Sequence, residues 1–305
     1  MSENDRDFWS RLGLSDPFTS KAGLARVREA MKGAPAVLEA APPEIGGTVD
    51  LAIPAGGHTI PARLYLPENA PETGPLCVFF HGGGYALGGL DSHDRVCRRL
   101  CAMSGVRLLA IDYRLAPEHA FPAAYDDSLA AFDWAAGEGA AELGADPSRL
   151  AVAGDSAGGG LAAAVAQARR AQIRFQLLIY PLLQLAEVRK DKLKAFEGHI
   201  LSAKTLEWIR DKYVADPALV RDPRCSPLFC DDLHGLPPAY IAAAELDPLL
   251  AEGRAYADKL AAFGVPVDYH LGRKLPHGYF NMTRTLPVAK RLIDKVGEKL
   301  GAALR

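Results

Sequence analysis

The amino-acid sequence predicts an α/β protein whose sheet is mostly parallel and carries helices on both faces. Short apolar runs alternate with longer stretches of helical periodicity. The later runs are almost continuously apolar, which is typical of strands buried on both faces of a sheet. Glycine-rich segments follow two of them directly, at 81–84 and 154–160. Because ligands bind beyond the carboxyl ends of the strands in such sheets, we expect functional residues just after each strand.

The apolar runs predict eight strands. The second of them alternates apolar and polar residues, as a half-buried strand does. The strands are placed at 48–53, 59–66, 76–80, 106–111, 150–153, 175–180, 239–244 and 265–271. Helices are predicted near 91–104, 122–138, 156–170, 249–263 and 286–300. This order indicates a single domain over residues 1–305.

Two segments fall outside the alternation. Residues 1–45 have helical character, and residues 185–220 are too long for a simple crossover between two strands. In the second segment Ser202 can cap a helix, with Leu201 and Leu206 placed as a hydrophobic staple. We expect these segments to form a helical cap over the carboxyl end of the sheet. Its apolar candidates are Trp9, Phe18, Phe196, Trp208 and Ile209.

Composition and charge limit the classes of partner. The chain has 305 residues and a net charge of -2, so it has no basic field for nucleic acid and no polybasic patch for a membrane. The first twenty residues carry charges throughout and lack the apolar core of a signal peptide. Five cysteines without a secretory signal are typical of reduced thiols. We therefore expect a cytoplasmic protein that binds neither nucleic acid nor membrane.

Three potential metal ligands share one predicted helix face, at His93, Cys97 and Cys101. A metal site would need a further ligand, and this cysteine spacing on a helix is not a known ligand pattern. The simpler interpretation is a helix that packs two small apolar thiols inward. We expect no metal.

The motif G-x-S-x-G places Ser156 in a turn between a strand and an alanine-rich helix. This context is the one in which the motif marks a nucleophile. The turn is so tight that Gly154 and Gly158 must be small, and the helix N-terminus favours developing negative charge. We therefore interpret Ser156 as a nucleophile. We interpret Asp155 beside it as structural, because its side chain points away from the turn.

A serine nucleophile needs a base, and the base needs an orienting acid. Asp247 follows the strand at 239–244, and His277 lies on a loop after the last strand, which is the chain order this fold requires. Glu245 is a nearby competitor for the acid, but we expect it to face a neighbouring loop from the strand end. The sequence therefore predicts Ser156, Asp247 and His277 as a catalytic triad.

The segment "HGGG" at 81–84 ends the strand at 76–80. A phosphate loop is excluded, because the chain has no G-x-x-x-x-G-K-[ST] and no G-x-G-x-x-G that opens a helix. An oxyanion site fits better, since the segment lies on the side of the sheet where Ser156 is expected. Glycines here would let a substrate carbonyl approach the backbone amides. His81 is expected to brace the loop rather than to act as a base.

Five motifs together resemble the hormone-sensitive-lipase family of bacterial esterases, which have the α/β-hydrolase fold. They are "HGGGYALG" (81–88), "DYRLAPEHAFPAAYDD" (112–127), "GDSAGG" (154–159), "DPL" (247–249) and "HGY" (277–279). The resemblance implies the triad already named, and an oxyanion hole made by the amides of Gly83, Gly84 and Ala157, with His81 and Gly82 supporting the loop. It also implies no cofactor, a small ester as substrate and a homodimer.

The chain departs from the family pattern in two places. Leu250 and Ala251 replace an arginine–aspartate pair after Asp247, so any ion pair normally made there is missing. Four residues separate Gly272 from His277, where two are usual, and we expect the histidine loop to sit differently. Together these observations predict a serine carboxylesterase for short-to-medium acyl esters. The alternatives are an amidase or peptidase with the same triad, and a non-catalytic ligand-binding relative.

Overall fold

The computed structural model describes residues 21–188, 196 and 201–305, and an eight-stranded sheet lies at its centre. The strands are β1 (Gly47–Ala55), β2 (His58–Leu66), β3 (Gly74–Phe80), β4 (Arg107–Ile111), β5 (Ala145–Asp155), β6 (Ile173–Ile179), β7 (Ala239–Leu246) and β8 (Val267–Pro276). Their order in the sheet is β1-β2-β4-β3-β5-β6-β7-β8. The pairs β1–β2 and β2–β4 are antiparallel, and the remaining pairs are parallel. The prediction of a mostly parallel eight-stranded sheet is confirmed.

The central strands are apolar on both faces because helices cover both. In β3, Leu76, Val78 and Phe80 belong to one hydrophobic core, and Cys77 and Phe79 belong to the core on the opposite face. A strand with two buried faces cannot alternate apolar with polar residues. The near-continuous apolar runs of the sequence therefore follow directly from this layered packing.

Eight α-helices lie in the described part of the chain. They are α1 (Lys21–Leu38), α2 (Leu90–Ser104), α3 (Ala123–Ala136), α4 (Ala140–Leu143), α5 (Ala157–Ala168), α6 (Ala203–Tyr213), α7 (Leu250–Ala262) and α8 (Pro287–Ala303). The helix predicted at 122–138 ends at Ala136. The strand predicted at 150–153 begins at Ala145, since Ala145 pairs with Gly74 across an irregularity that apolar patterning does not signal.

The two segments predicted as a cap are described only in part. Residues 1–20, 189–195 and 197–200 lie outside the described residues, and Trp9 and Phe18 lie among them. Ser202 caps α6 as predicted, because its side chain accepts a hydrogen bond from the Thr205 amide at 3.2 Å. Helix α1 covers residues 21–38 of the predicted helical segment at 1–45, and an irregular stretch joins it to β1.

Candidate active site

Ser156 lies at the junction of β5 and α5 in a strained turn, with φ 54° and ψ -118°. Its amide donates to the Ile179 carbonyl oxygen at 2.8 Å, which fixes the turn against β6. A Cβ at Gly158 would lie against the Phe80 carbonyl oxygen, and one at Gly154 would lie against Gly158. The backbone therefore requires both glycines, as predicted, and Ser156 is held at the carboxyl end of the sheet.

A chain of hydrogen bonds joins the three side chains predicted as a triad. Ser156 Oγ lies 2.9 Å from His277 Nε2, and His277 Nδ1 lies 2.8 Å from Asp247 Oδ2. With the proton on Nδ1, the imidazole donates to the carboxylate and accepts from the serine hydroxyl. All three residues are buried, with Ser156 8% exposed. This arrangement can remove a proton from the hydroxyl while the carboxylate stabilises the resulting imidazolium.

Asp247 is positioned by the start of helix α7 without the ion pair that the family usually has. Its Oδ1 accepts a hydrogen bond from the Leu249 amide at 2.8 Å, which leaves Oδ2 for His277. Leu250 begins α7 and Ala251 is exposed. The absent arginine–aspartate pair is therefore not needed to hold the carboxylate in place.

The competitor Glu245 contacts the neighbouring strand β8, where we expected a neighbouring loop. Its Oε2 accepts from the Lys274 amide at 2.7 Å, and Arg273 Nη1 lies 3.5 Å from Oε1. These contacts also explain the two extra residues before His277. Between the pairs Ala244–Gly272 and Leu246–Pro276, Glu245 alone faces Arg273, Lys274 and Leu275. The additional length is thus taken up by a bulge in β8, and His277 still reaches Ser156.

The glycine segment after β3 lies beside this turn. Gly82 donates its amide hydrogen to Asp155 Oδ1 at 2.8 Å. Gly83 and Gly84 have φ of +126° and +62°, conformations that favour glycine. A Cβ at Gly83 would lie against the Leu87 carbonyl, and one at Gly84 would lie 2.6 Å from Ile209 Cδ1. The need for glycine thus arises from close packing within the protein, in addition to the substrate approach that we predicted. Ala157 begins α5 next to Ser156.

His81 has the position of a brace. Its ring stacks on Tyr113 with a centroid distance of 4.3 Å, and its Nδ1 donates to the Gly82 carbonyl oxygen at 2.8 Å. Tyr113 Oη donates to the His81 carbonyl oxygen at 2.7 Å. Burial, with a smaller contribution from His93, lowers the pKa of His81 to about 3. The imidazole is therefore neutral at ordinary pH and stabilises the loop by packing and hydrogen bonding.

The buried pair of His93 and Asp155 was only partly anticipated. His93 Nε2 lies 3.2 Å from Asp155 Oδ1, the oxygen that also accepts from Gly82. Burial opposes both charges, but each partner outweighs it, so the pKa of Asp155 is lowered and that of His93 is raised. The pair fixes the amide of Gly82 and confirms the structural role predicted for Asp155. A sequence signal was available, since His93 follows the glycine segment at the start of the next helix.

The metal alternative at His93, Cys97 and Cys101 is not supported by the contacts. The three side chains are buried, and His93 is engaged with Asp155 and with Ser92 Oγ at 2.9 Å. Within residues 21–188, 196 and 201–305, no group of three or more His, Cys, Asp or Glu side chains is arranged to hold a metal ion. Over the same residues, no helix has the length and apolarity needed to cross a membrane.

A pocket of about 360 Å³ opens above Ser156 and His277. Most of its wall is apolar and comes from α1, α6 and the loops near them. The side chains that form it are Met31, Leu38, Leu87, Leu182, Leu201, Leu206, Trp208, Ile209, Leu249 and Met282. The polar side chains that line it, besides Ser156 and His277, are Glu39, Ser92, His93, Asp155, Thr205, Asn281 and Thr285. The pocket therefore suits a small, largely apolar molecule with its reactive group at Ser156.

Comparison with known proteins agrees with this architecture. Residues 77–281 match the family described as α/β hydrolase fold. Carboxylic ester hydrolase LipN of Mycobacterium tuberculosis is 42% identical over 280 residues, covering 88% of this chain and 71% of its own. Ethyl acetate hydrolase of Pseudomonas putida is 40% identical over 251 residues, covering 80% of this chain and 79% of its own.

Among solved structures, a hyperthermophilic esterase from the archaeon Pyrobaculum calidifontis superposes with a TM-score of 0.88 at 35% identity. The superposition covers 99% of this chain and 98% of that one. The family match spans more than half of the chain, and its ends coincide with β3 and the segment just after His277. The chain therefore belongs to the α/β-hydrolase family, as a bacterial esterase of the hormone-sensitive-lipase type.

Proposed function

We propose that this carboxylesterase hydrolyses short-to-medium acyl esters with Ser156 as nucleophile, His277 as base and Asp247 as the acid that orients it. The observation that carries the proposal is the hydrogen-bond chain from Ser156 Oγ through His277 to Asp247, with distances of 2.9 and 2.8 Å. The relatives named carboxylic ester hydrolase and ethyl acetate hydrolase support ester hydrolysis. The apolar pocket above Ser156 supports a small acyl ester as the substrate.

In the first half of the reaction, His277 Nε2 takes the proton of Ser156 Oγ as this oxygen attacks the ester carbonyl carbon. The carbonyl oxygen becomes an anion, for which we propose the amides of Gly83, Gly84 and Ala157 as donors. Removal of one such donor typically lowers kcat by about 10²–10³-fold. The imidazolium then gives its proton to the leaving alcohol, and an acyl-serine remains.

In the second half, water attacks the acyl-serine while His277 removes its proton. The tetrahedral intermediate collapses, the acid leaves, and the proton returns to Ser156 Oγ. The Asp247 carboxylate stabilises the imidazolium in both halves. Every step uses side chains and amides of this chain.

Three further expectations belong to the same proposal. We propose that α1 and α6, together with the neighbouring parts of residues 1–45 and 185–220, act as the cap of the pocket. We also propose a cytoplasmic location, in keeping with five free thiols, and a homodimer. Sedimentation velocity would test the dimer, and a single species at the monomer mass would contradict it.

The central test is Ser156→Ala with p-nitrophenyl butyrate as the substrate. We expect kcat to fall by about 10⁴-fold or more, and a fluorophosphonate probe to label the unmodified protein only. Ser148→Ala, which changes an exposed serine, is the matched control and should retain both properties. Activity above a few per cent in Ser156→Ala would contradict the assignment. Faster turnover of matched anilides than of esters would favour an amidase.

A further inference from the structure

Glu39 is a buried carboxyl in the pocket wall that the proposed reaction does not use. It follows α1, is 2% exposed, and lines the same pocket as Ser156 and His277. Most of the remaining wall is apolar. A carboxyl in such a place costs folding free energy unless it is well hydrogen-bonded, so its presence calls for a partner.

The described residues partner this carboxyl poorly. Asn281 Nδ2 donates to Glu39 Oε1 at 3.3 Å, at the long end of the range for a hydrogen bond. Among residues 21–188, 196 and 201–305, this is the one hydrogen bond to either oxygen. By contrast, both oxygens of Asp247 are engaged at 2.8 Å. Glu39 therefore retains acceptor capacity beside the pocket.

The cationic side chains around Glu39 do not form an ion pair with its carboxyl either. His93 makes the largest favourable charge interaction with the carboxyl, but its Nε2 is already 3.2 Å from Asp155, whose negative charge opposes ionisation of Glu39. Arg95 donates through Nη1 to the Glu39 backbone carbonyl at 2.8 Å instead of to the carboxyl. Burial raises the pKa of Glu39 to about 7, and Asn281, His93 and Arg95 offset this only in part.

The backbone around Glu39 is fixed independently of its side chain. Ala40 donates its amide hydrogen to Thr283 Oγ1 at 2.9 Å, and the Arg284 amide donates to the Leu38 carbonyl oxygen at 3.0 Å. The Arg95 contact described above adds a third tie. These bonds use main-chain atoms of residues 38–40, so they persist when the carboxyl is replaced. The side chain is thus not required to anchor this segment.

We propose that the Glu39 carboxyl and the Asn281 amide form a polar subsite of the pocket that binds a hydrogen-bond donor, a hydroxyl or an ammonium group, carried by the ester substrate. The inference rests on the proposed function, because both residues line the pocket above Ser156. This subsite makes the enzyme selective for esters with such a donor over esters of the same shape that carry a methyl or methine group at that position. A buried acceptor discriminates in this way because the all-carbon analogue leaves it unpaired.

The test measures kcat/KM by titration of released acid for three isosteric pairs of esters. Ethyl 3-hydroxybutyrate against ethyl 3-methylbutyrate places the hydroxyl on the acyl side. 2-Hydroxyethyl butyrate against propyl butyrate places it on the alcohol side. 2-(Dimethylamino)ethyl butyrate against 3-methylbutyl butyrate tests an ammonium donor. We expect the donor to be preferred about tenfold or more in at least one pair.

Two substitutions separate recognition from structure. Glu39→Leu should abolish every donor preference. Glu39→Gln keeps an acceptor, so a hydroxyl preference should persist within about threefold while an ammonium preference is lost. Glu44→Gln changes an exposed acid nearby and should leave all ratios unchanged. If Glu39→Leu fails to fold, the split between hydroxyl and ammonium in Glu39→Gln still decides the matter.

Equal ratios in the unmodified protein and in Glu39→Leu would overturn the proposal, even if both rates of a pair fall together. Such a uniform loss would mean that Glu39 only supports the pocket wall. Hydrolysis of p-nitrophenyl butyrate by the unmodified protein distinguishes the two levels of inference. If it is absent, the proposed function fails, and if it is present without donor selectivity, only the subsite fails.

Discussion

The floor of the pocket, which comprises the glycine segment 82–84 with Ser156 and His277, is held by hydrogen bonds, including those of Asp247 behind it, and by close backbone contacts. The roof, to which α1 and α6 contribute Met31, Leu38, Leu206, Trp208 and Ile209, presents apolar side chains to the pocket. Outside the pocket, Arg28 also ties α1 to the Ala86 and Ala116 carbonyl oxygens at 2.8 Å. In the floor, atoms are fixed by directional bonds at 2.8–2.9 Å. In the roof, α1 meets Leu87 and Trp208 through a small hydrophobic cluster.

The difference reflects what each region must do. Acyl transfer depends on groups placed to within a fraction of an ångström, which directional bonds provide. Recognition of an acyl chain depends on the shape of an apolar surface, which tolerates substitution of similar volume. We therefore expect changes in the floor to alter kcat strongly and changes in the roof to alter which ester is preferred.

The largest effect is expected from Asp247→Asn. Both oxygens of the Asp247 carboxylate accept a hydrogen bond, one from the Leu249 amide and one from His277 Nδ1. Asparagine has a single acceptor oxygen. When that oxygen accepts from Leu249, the NH2 group faces His277 Nδ1 and favours the wrong tautomer. We expect kcat for p-nitrophenyl butyrate to fall by about 10⁴-fold. Glu245→Gln is the matched control, because this carboxyl lies two residues away and contacts the β8 bulge. Equal losses in the two variants would contradict the assignment of the acid.

A smaller effect is expected where the floor and the roof touch. In Gly84→Ala the new methyl group would lie 2.6 Å from Ile209 Cδ1, and the positive φ adds strain. We expect kcat/KM to fall by up to about 10²-fold, as for loss of an oxyanion donor. In the double variant Gly84→Ala with Ile209→Ala, the clash is removed and part of the loss should be recovered. Strictly additive effects would show that the two side chains do not interact.

A change confined to the roof should alter selectivity more than rate. Trp208→Ala enlarges the pocket, so we expect the ratio of kcat/KM for p-nitrophenyl octanoate to that for the butyrate to rise by about tenfold. The butyrate rate itself should change by only about threefold. Leu219→Ala, at an exposed leucine away from the pocket lining, should leave the ratio unaltered. A fall in both rates by the same factor would assign Trp208 to the support of the floor.

The smallest effect that we expect is a change in the pH dependence of folding stability, caused by Glu252. This residue connects α7 to the segment after β6. Its Oε1 accepts from the Leu183 amide at 2.6 Å, and burial raises its pKa from 4.5 to about 8. The folded state therefore holds this proton more tightly than the unfolded state, so its contribution to the free energy of unfolding decreases as pH rises from 4.5 to 8.

In Glu252→Gln the side chain cannot ionise, and its amide oxygen still accepts from the Leu183 amide. Its stability relative to the unmodified protein should therefore increase from pH 5 to pH 8, as measured by urea unfolding at each pH. Glu68→Gln, at an exposed residue, provides the comparison and should show no such trend. A pH-independent difference at Glu252 would mean that its carboxyl is ionised in the folded state.

The floor was largely predictable because its motifs are local in sequence. The strand–turn–helix at Ser156 and the positions of Asp247 and His277 after strand ends follow from the spacing of apolar runs. The role of Asp155 followed from its place next to the nucleophile. The reason predicted for glycine at 83 and 84 was incomplete. Gly84 meets Ile209, which only folding brings close, and Gly83 meets Leu87 through the shape of a local turn that the pattern of residues does not reveal.

The roof was less predictable because apolar helices carry no signal for what they face. Glu39 gave no sequence signal at all, as a single acid after a helix is ordinarily exposed. The bulge at Arg273–Leu275 was visible only as two extra residues. Its form depends on pairing with β7 and on the contacts of Glu245, both of which are non-local.

The ties at residues 38–40 have a consequence for exchanging caps between homologous enzymes. These residues are bonded through their backbone to α2, by Arg95, and to the stretch after His277, by Thr283 and Arg284. In a chimaera that joins a foreign N-terminal arm at residue 46, the two partners in each of these bonds would come from different parents. The transferable unit consists of the arm together with α2 and residues 279–285. Recombination within this family should therefore succeed most often when these three pieces share one parent.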